Sequence, residues 1–171
     1  MSDVKIKKAR IKDDLFLEVE FSESLPGHSK KETKLSCTVP VHEDLKTAFS
    51  KLDKHLALLC DEVKLKGKKI EGIDPEDLAA FTVRGFSIGG NDENEGVSIN
   101  GSKEGKYGIV NLNTPFTKWE SDEYPFLSDL GADVELCVHE VNEYLFNEKR
   151  APEKQLAMDF GDSDDDINTV E

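Results

Sequence analysis

Residues 15–21, LFLEVEF, alternate apolar and acidic side chains with a period of two. Leu17, Val19 and Phe21 fall on one face of an extended chain, whereas Glu18 and Glu20 fall on the other. This alternation predicts a β-strand whose apolar face is buried in a core and whose polar face meets solvent.

Five further segments show the strand pattern: residues 3–14, 33–41, 79–90, 96–105 and 107–116. The first of them is rich in lysine, which favours a position at the edge of a sheet because charge discourages pairing with another chain. Gly85 interrupts the alternation of the third segment and predicts a β-bulge there.

Two segments have the helical period instead, residues 42–63 and residues 120–150. Each carries an apolar stripe of the kind that packs on a sheet. Three strands and a helix therefore occur twice, over residues 1–63 and 78–148, with a lysine-rich linker at residues 64–77. The pattern predicts an α+β body at residues 1–150, made of two βββα-like units whose antiparallel sheets are each covered by an amphipathic helix. The stripes are Leu45, Ala48, Phe49, Leu52, Leu56, Leu59 and Val63, and Leu127, Leu130, Val134, Cys137, Val138, Val141, Tyr144 and Leu145.

Charge is distributed unevenly along the chain, which has a formal net charge of −14. Residues 1–75 hold 15 Lys and Arg against 14 Asp and Glu, whereas residues 76–171 hold 7 against 22. Such an acidic body argues against broad binding to duplex DNA, although it leaves room for a local basic groove. There is no signal peptide and no apolar run of 18 residues, so we expect a cytoplasmic protein without a membrane partner.

Enzyme signatures are incomplete in this sequence. Residues 139–143, HEVNE, lack the second histidine of a zinc-protease motif, so His139 and Glu143 fit a solvated helix face. Residues 89–96, GGNDENEG, offer oxygen ligands without the closing glutamate of a calcium loop. The three cysteines lie far apart in apolar patterns and indicate free thiols. We therefore expect no enzymatic activity, no catalytic residues, no metal site and no cofactor.

Binding of single-stranded DNA is the first functional hypothesis. Such binders combine a cationic track with aromatic side chains on which bases stack. The repeated strand–helix pattern is similar to the repeats of the PUR and Whirly proteins, which bind single-stranded nucleic acid. The alternative is that the lysines only solubilise an edge strand and the aromatic residues belong to the core. The candidate residues are Lys5, Lys7, Lys8, Arg10, Arg84, Phe16 and Phe86.

The C-terminal segment, residues 151–171, has no periodicity, carries seven acids against one lysine, and is predicted to be a disordered acidic tail. Within it, Gln155, Leu156, Met158 and Phe160 resemble the short motif by which bacterial replication and repair proteins dock on the DNA sliding clamp. The alternatives are that these apolar residues fold back on the body or match the motif by accident. The acids that follow resemble the acidic tips of single-stranded-DNA-binding proteins.

The chain as a whole resembles small proteins of phage and mobile-element replication and recombination modules. That resemblance implies a non-enzymatic accessory protein, with single-stranded DNA and the bacterial sliding clamp as partners. The rival hypothesis is an acidic protein-binding inhibitor or DNA mimic that acts on a host factor. The sequence leaves the oligomeric state open, a homo-oligomer included.

Overall fold

The computed structural model describes residues 4–65 and 67–152, except for the side chain of His28. Within these ranges the chain forms an antiparallel sheet covered on one face by helices, which confirms the predicted α+β class. The strands are β1 (Val4–Lys12), β2 (Phe16–Ser24), β3 (Lys30–Ser36), β4 (Phe81–Gly89), β5 (Gly96–Gly105), β6 (Gly108–Asn113) and β7 (Thr117–Lys118). The helices are α1 (Glu43–Ser50), α2 (Asp53–Leu59), α3 (Pro75–Leu78) and α4 (Leu127–Phe146), and short 3-10 turns lie at Pro26–His28, Ile70–Gly72 and Asp92–Asn94.

The two units share one sheet, of strand order β3-β2-β1-β4-β5-β6, with the short β7 paired to β5. They join where β1 pairs antiparallel with β4, from Lys8 opposite Ser87 to Arg10 opposite Gly85. A Cβ on Gly85 would lie 2.6 Å from the Ala9 carbonyl oxygen, so glycine permits this close approach. The edge position predicted for residues 3–14 is therefore wrong, because β1 has a neighbour on both sides.

Helices α1, α2 and α4 cover one face, here called the inner face, and the two apolar stripes supply most of the core. Leu45, Phe49 and Leu56 from the first stripe and Leu130 and Val141 from the second are buried against the sheet. Helix α4 also packs against α1, so the helix of the second unit contacts the helix of the first. One hydrophobic core therefore spans both units.

Both predicted helices are shorter than the apolar patterns that predicted them. The first is divided, since α1 ends at Ser50 and α2 begins at Asp53. The second begins only at Leu127, two residues after Pro125. Proline disfavours helical backbone at the residue before it, which keeps Tyr124 and the preceding acids out of the helix.

Candidate functional site: the outer face of the sheet

Strand register assigns the side chains of the outer face, the face opposite the helices. Ala9 and Ile11 are buried on the inner face, so Lys8, Arg10 and Lys12 lie on the outer one. A register shift between Ile6 and Lys8 marks a bulge in β1. On the outer face of β1, β2 and β3, the described residues place seven cations and three carboxylates. They are Lys5, Lys7, Lys8, Arg10, Lys12, Lys30 and Lys34, with Glu18, Glu20 and Glu32.

The other half of the outer face carries short uncharged side chains. From β4, β5 and β6 it presents mainly serine and asparagine, with Glu104 as the one charged residue among those that the structure describes. The outer face as a whole therefore carries more cations than carboxylates, although the total charge of the protein is negative. The accessible polar side chains are Ser87, Ser98, Asn100, Asn111 and Asn113, whereas Ser102 in the same register is buried.

Some of the outer-face cations form ion pairs with carboxylates, and others do not. Lys5 Nζ lies 2.9 Å from Glu95 Oε2, and Lys7 is paired with Glu32. Among the described residues, no ion pair or hydrogen bond engages the side-chain nitrogens of Lys8 or Arg10. These two cations, with Glu18, Glu20 and Lys34, line a shallow cavity of about 250 Å³.

The structure brings together only part of the predicted nucleic-acid site. Lys5, Lys7, Lys8 and Arg10 share the outer face, and Phe16 lies half-buried beside them, opposite Lys12. Arg84 lines a separate cavity with Asp14 and Lys46. The structure therefore does not bring Arg84 together with the other predicted cations, and its role in binding nucleic acid stays a prediction.

Phe86 is a correction to the predicted site. It is fully buried, with its ring centroid 5.7 Å from that of Phe49, so its ring has no free face on which a base could stack. The cause is the bulge that Gly85 predicted, seen as a register shift between Val83 and Gly85. One extra residue reverses the alternation, and Phe86 therefore shares the inner face with Val83.

A hydrogen-bonded network of buried and partly buried side chains lies on the helical side of the sheet. His55 is fully buried, with Nδ1 2.7 Å from the Tyr124 hydroxyl and Nε2 2.9 Å from Asp133 Oδ2. Lys54 Nζ lies 3.2 Å from the same carboxylate oxygen. No short sequence motif could reveal these hydrogen bonds, because Tyr124 and Asp133 are 69 and 78 residues from His55.

The pKa shifts of the groups bonded to His55 favour a role in orienting side chains rather than in nucleophilic chemistry. Burial, with the nearby charges of Asp129 and Asp133, raises the pKa of Tyr124, so its hydroxyl stays protonated and can donate to His55. Burial opposes the charge of Asp133, but hydrogen bonds and the charge of Lys54 hold its pKa below the ordinary value. Asp133 therefore remains a carboxylate that orients His55, which in turn fixes Tyr124.

The other chemistry-bearing side chains stand apart. Within residues 4–65 and 67–152, no three His, Cys, Asp or Glu are grouped to hold a metal. His139 is exposed and reaches Glu143 at 3.7 Å. The cysteines are free, and burial raises the pKa of both Cys60 and Cys137, which disfavours the reactive thiolates.

Part of the predicted site lies beyond the described residues: the clamp-motif residues Gln155, Leu156, Met158 and Phe160. Among the described residues, no helix has the length and apolar character to cross a membrane. Comparison with protein-family models, with curated proteins and with solved structures finds no match.

Proposed function

We propose that this protein is a non-enzymatic accessory factor of phage or mobile-element DNA replication or recombination, which binds single-stranded DNA on the outer face of its sheet. The observation that carries the proposal is the concentration of cations there, with Lys8 and Arg10 free of ion pairs among the described residues. Phosphates are attracted to such a row even when the total charge is negative, because distant charges are screened over about 10 Å.

The neighbouring half-face supports contact with a strand rather than with phosphate alone. Serine and asparagine side chains such as Ser98 and Asn100 can donate to and accept from exposed base edges and sugar oxygens. Burial of Phe86 removes one predicted stacking surface, so electrostatic contact dominates. We therefore expect weak, sequence-tolerant binding that depends steeply on salt.

Removal of Lys8 and Arg10, two of the outer-face cations without ion pairs among the described residues, tests this function. Lys8→Ala with Arg10→Ala should weaken binding to labelled oligothymidine at least tenfold at low salt, measured by fluorescence anisotropy. The slope of log affinity against log salt should become shallower by about 0.7 for each phosphate that the variant no longer neutralises. The matched control is Lys46→Ala with Lys51→Ala, which removes the same charge on the helical side, from α1 and from the residue that caps its C-terminal end.

Equal weakening by the control would mean that total charge, not this face, governs binding. No binding by the wild-type protein would retire the DNA function. The acidic protein-binding inhibitor would then be the better account.

We further propose that the tail docks on the bacterial sliding clamp through Gln155, Leu156, Met158 and Phe160. A short segment that orders on binding should have an affinity of about micromolar. In calorimetry with the clamp, a peptide of residues 151–171 should bind, and Gln155→Ala with Phe160→Ala should abolish binding. The peptide carrying Asn168→Ala with Thr169→Ala is the control outside the motif, and a silent wild-type peptide would overturn clamp docking.

A further inference from the structure

A groove with one mainly apolar part and one mixed polar and apolar part lies on the helical side, away from the outer face. One part, of about 670 Å³, lies between Leu58 of α2 and the segment around Phe116. A second part, of about 550 Å³, is lined by Leu65 and Phe126. Leu58 and Tyr124 line both parts, so the two are adjacent and are here called the groove.

Large apolar and aromatic side chains line both parts of the groove, and one of them is held in a fixed orientation. Phe116 is 47% exposed, although it is a large aromatic side chain. The rings of Tyr124 and Phe126 meet edge to face, 5.8 Å apart. The hydroxyl of Tyr124 is fixed by the fully buried His55, so the ring at the centre of the groove is held in one orientation before any partner arrives.

Carboxylates dominate the wider end of the groove. Glu93, Glu120 and Glu123 line it, and no ion pair engages them among the described residues. The cation at this end, Lys118, donates to Asn94 Oδ1 at 3.0 Å. The narrower end instead carries Lys68. A ligand for the wider end must therefore bring positive charge to an apolar surface.

We infer that the groove binds a segment of a partner protein in which apolar side chains are interspersed with lysine or arginine. Aromatic anchors in a pocket, surrounded by complementary charge, are typical of protein-binding surfaces. Nucleic acid is disfavoured, because the three carboxylates repel phosphates. The acidic residues 151–171 are disfavoured for the same reason. This inference does not depend on DNA binding, which uses other residues on the opposite side of the sheet.

Selection from a displayed library of random dodecapeptides against the full-length protein tests the groove. We expect enrichment of peptides that combine two or more large apolar residues with two or more Lys or Arg. A synthetic peptide of the enriched sequence should bind with about micromolar affinity by calorimetry. Phe116→Ala with Glu120→Lys should weaken it at least tenfold, because it removes an anchor and reverses one charge of the rim.

The matched control is Ile109→Ala with Glu104→Lys, which makes equivalent changes at exposed positions of the β5–β6 hairpin. All four side chains are exposed, and circular dichroism will verify that each variant is folded. Binding that survives in the control and fails in the groove variant supports the inference. A library without enrichment, enrichment of acidic peptides, or equal binding by both variants would overturn it.

Discussion

At the scale of single residues, a partly buried carboxylate predicts an unusual pH response of the protein. Asp53 begins α2 and accepts the Val83 N–H at 2.8 Å, which ties the helix to β4. Burial raises the pKa of Asp53 to about 6, and that hydrogen bond only partly offsets the rise. Between pH 4 and 6 the folded protein therefore holds a proton that the unfolded chain has released. Stability from this group must fall as the pH rises.

Asp53→Asn keeps an acceptor for Val83 and removes the charge. The free energy of unfolding of the variant, relative to wild type, should therefore increase by about 1–2 kcal/mol from pH 4 to pH 7, after allowance for solvent screening. Urea unfolding at the two pH values measures this difference. The comparison with wild type cancels groups of the opposite sign, such as Asp133, whose pKa is lowered. A difference in the free energy of unfolding between variant and wild type that is constant with pH would contradict the partly buried position of Asp53.

Single residues also mark where sequence reasoning succeeds and fails. The irregularity at Gly85 was predicted correctly, because a glycine that breaks an alternating pattern is a local signal. Its consequence for Phe86 needs the register of the following residues, which depends on pairing with β1 and β5. The partners of His55 are equally non-local. Local periodicity therefore reveals the faces of strands, but not the contacts that assemble a site.

At the scale of elements, the ordered contacts at the C-terminal end of the body extend further than the apolar patterns indicate. These patterns end near residue 148, yet Lys149 Nζ lies 2.8 Å from both Asp44 and the buried Glu140. Arg150 pairs with Val41 as an isolated bridge, and the Ala151 N–H donates to the Pro40 carbonyl. This segment closes α4 onto the chain that leads into α1.

Two truncations test the role of this segment. A chain ending at residue 152 loses nothing that the structure describes, so its melting temperature should stay within about 2 °C of wild type. A chain ending at residue 148 loses the cation that pairs with Glu140, and its melting temperature should fall by about 5 °C because a buried carboxylate is left unpaired. Calorimetry distinguishes the two. A large drop for the longer chain would mean that residues 153–171 stabilise the body.

At the scale of the whole molecule, the two strand–helix units act as one structure with two differently charged sides. Periodicity predicted six of the strands and the class of the fold. It could not predict that β1 and β4 pair, because that contact joins residues about 75 positions apart. The pairing matters for the proposed function, since it sets the cationic half-face beside the serine and asparagine half-face on one continuous surface. Under the two proposals, DNA and a basic protein segment occupy opposite sides of the sheet.

Lysine acetylation of the full-length protein, with and without saturating oligothymidine, measures whether the outer face of the sheet binds DNA. Mass spectrometry then reads the modification of each lysine. We expect slower acetylation of Lys8, Lys12 and Lys34 on the outer face when DNA is bound. Lys46 and Lys51, on the helical side, should be modified at an unchanged rate. Protection of Lys46 and Lys51 instead, or DNA binding without protection of any outer-face lysine, would contradict DNA binding on the outer face.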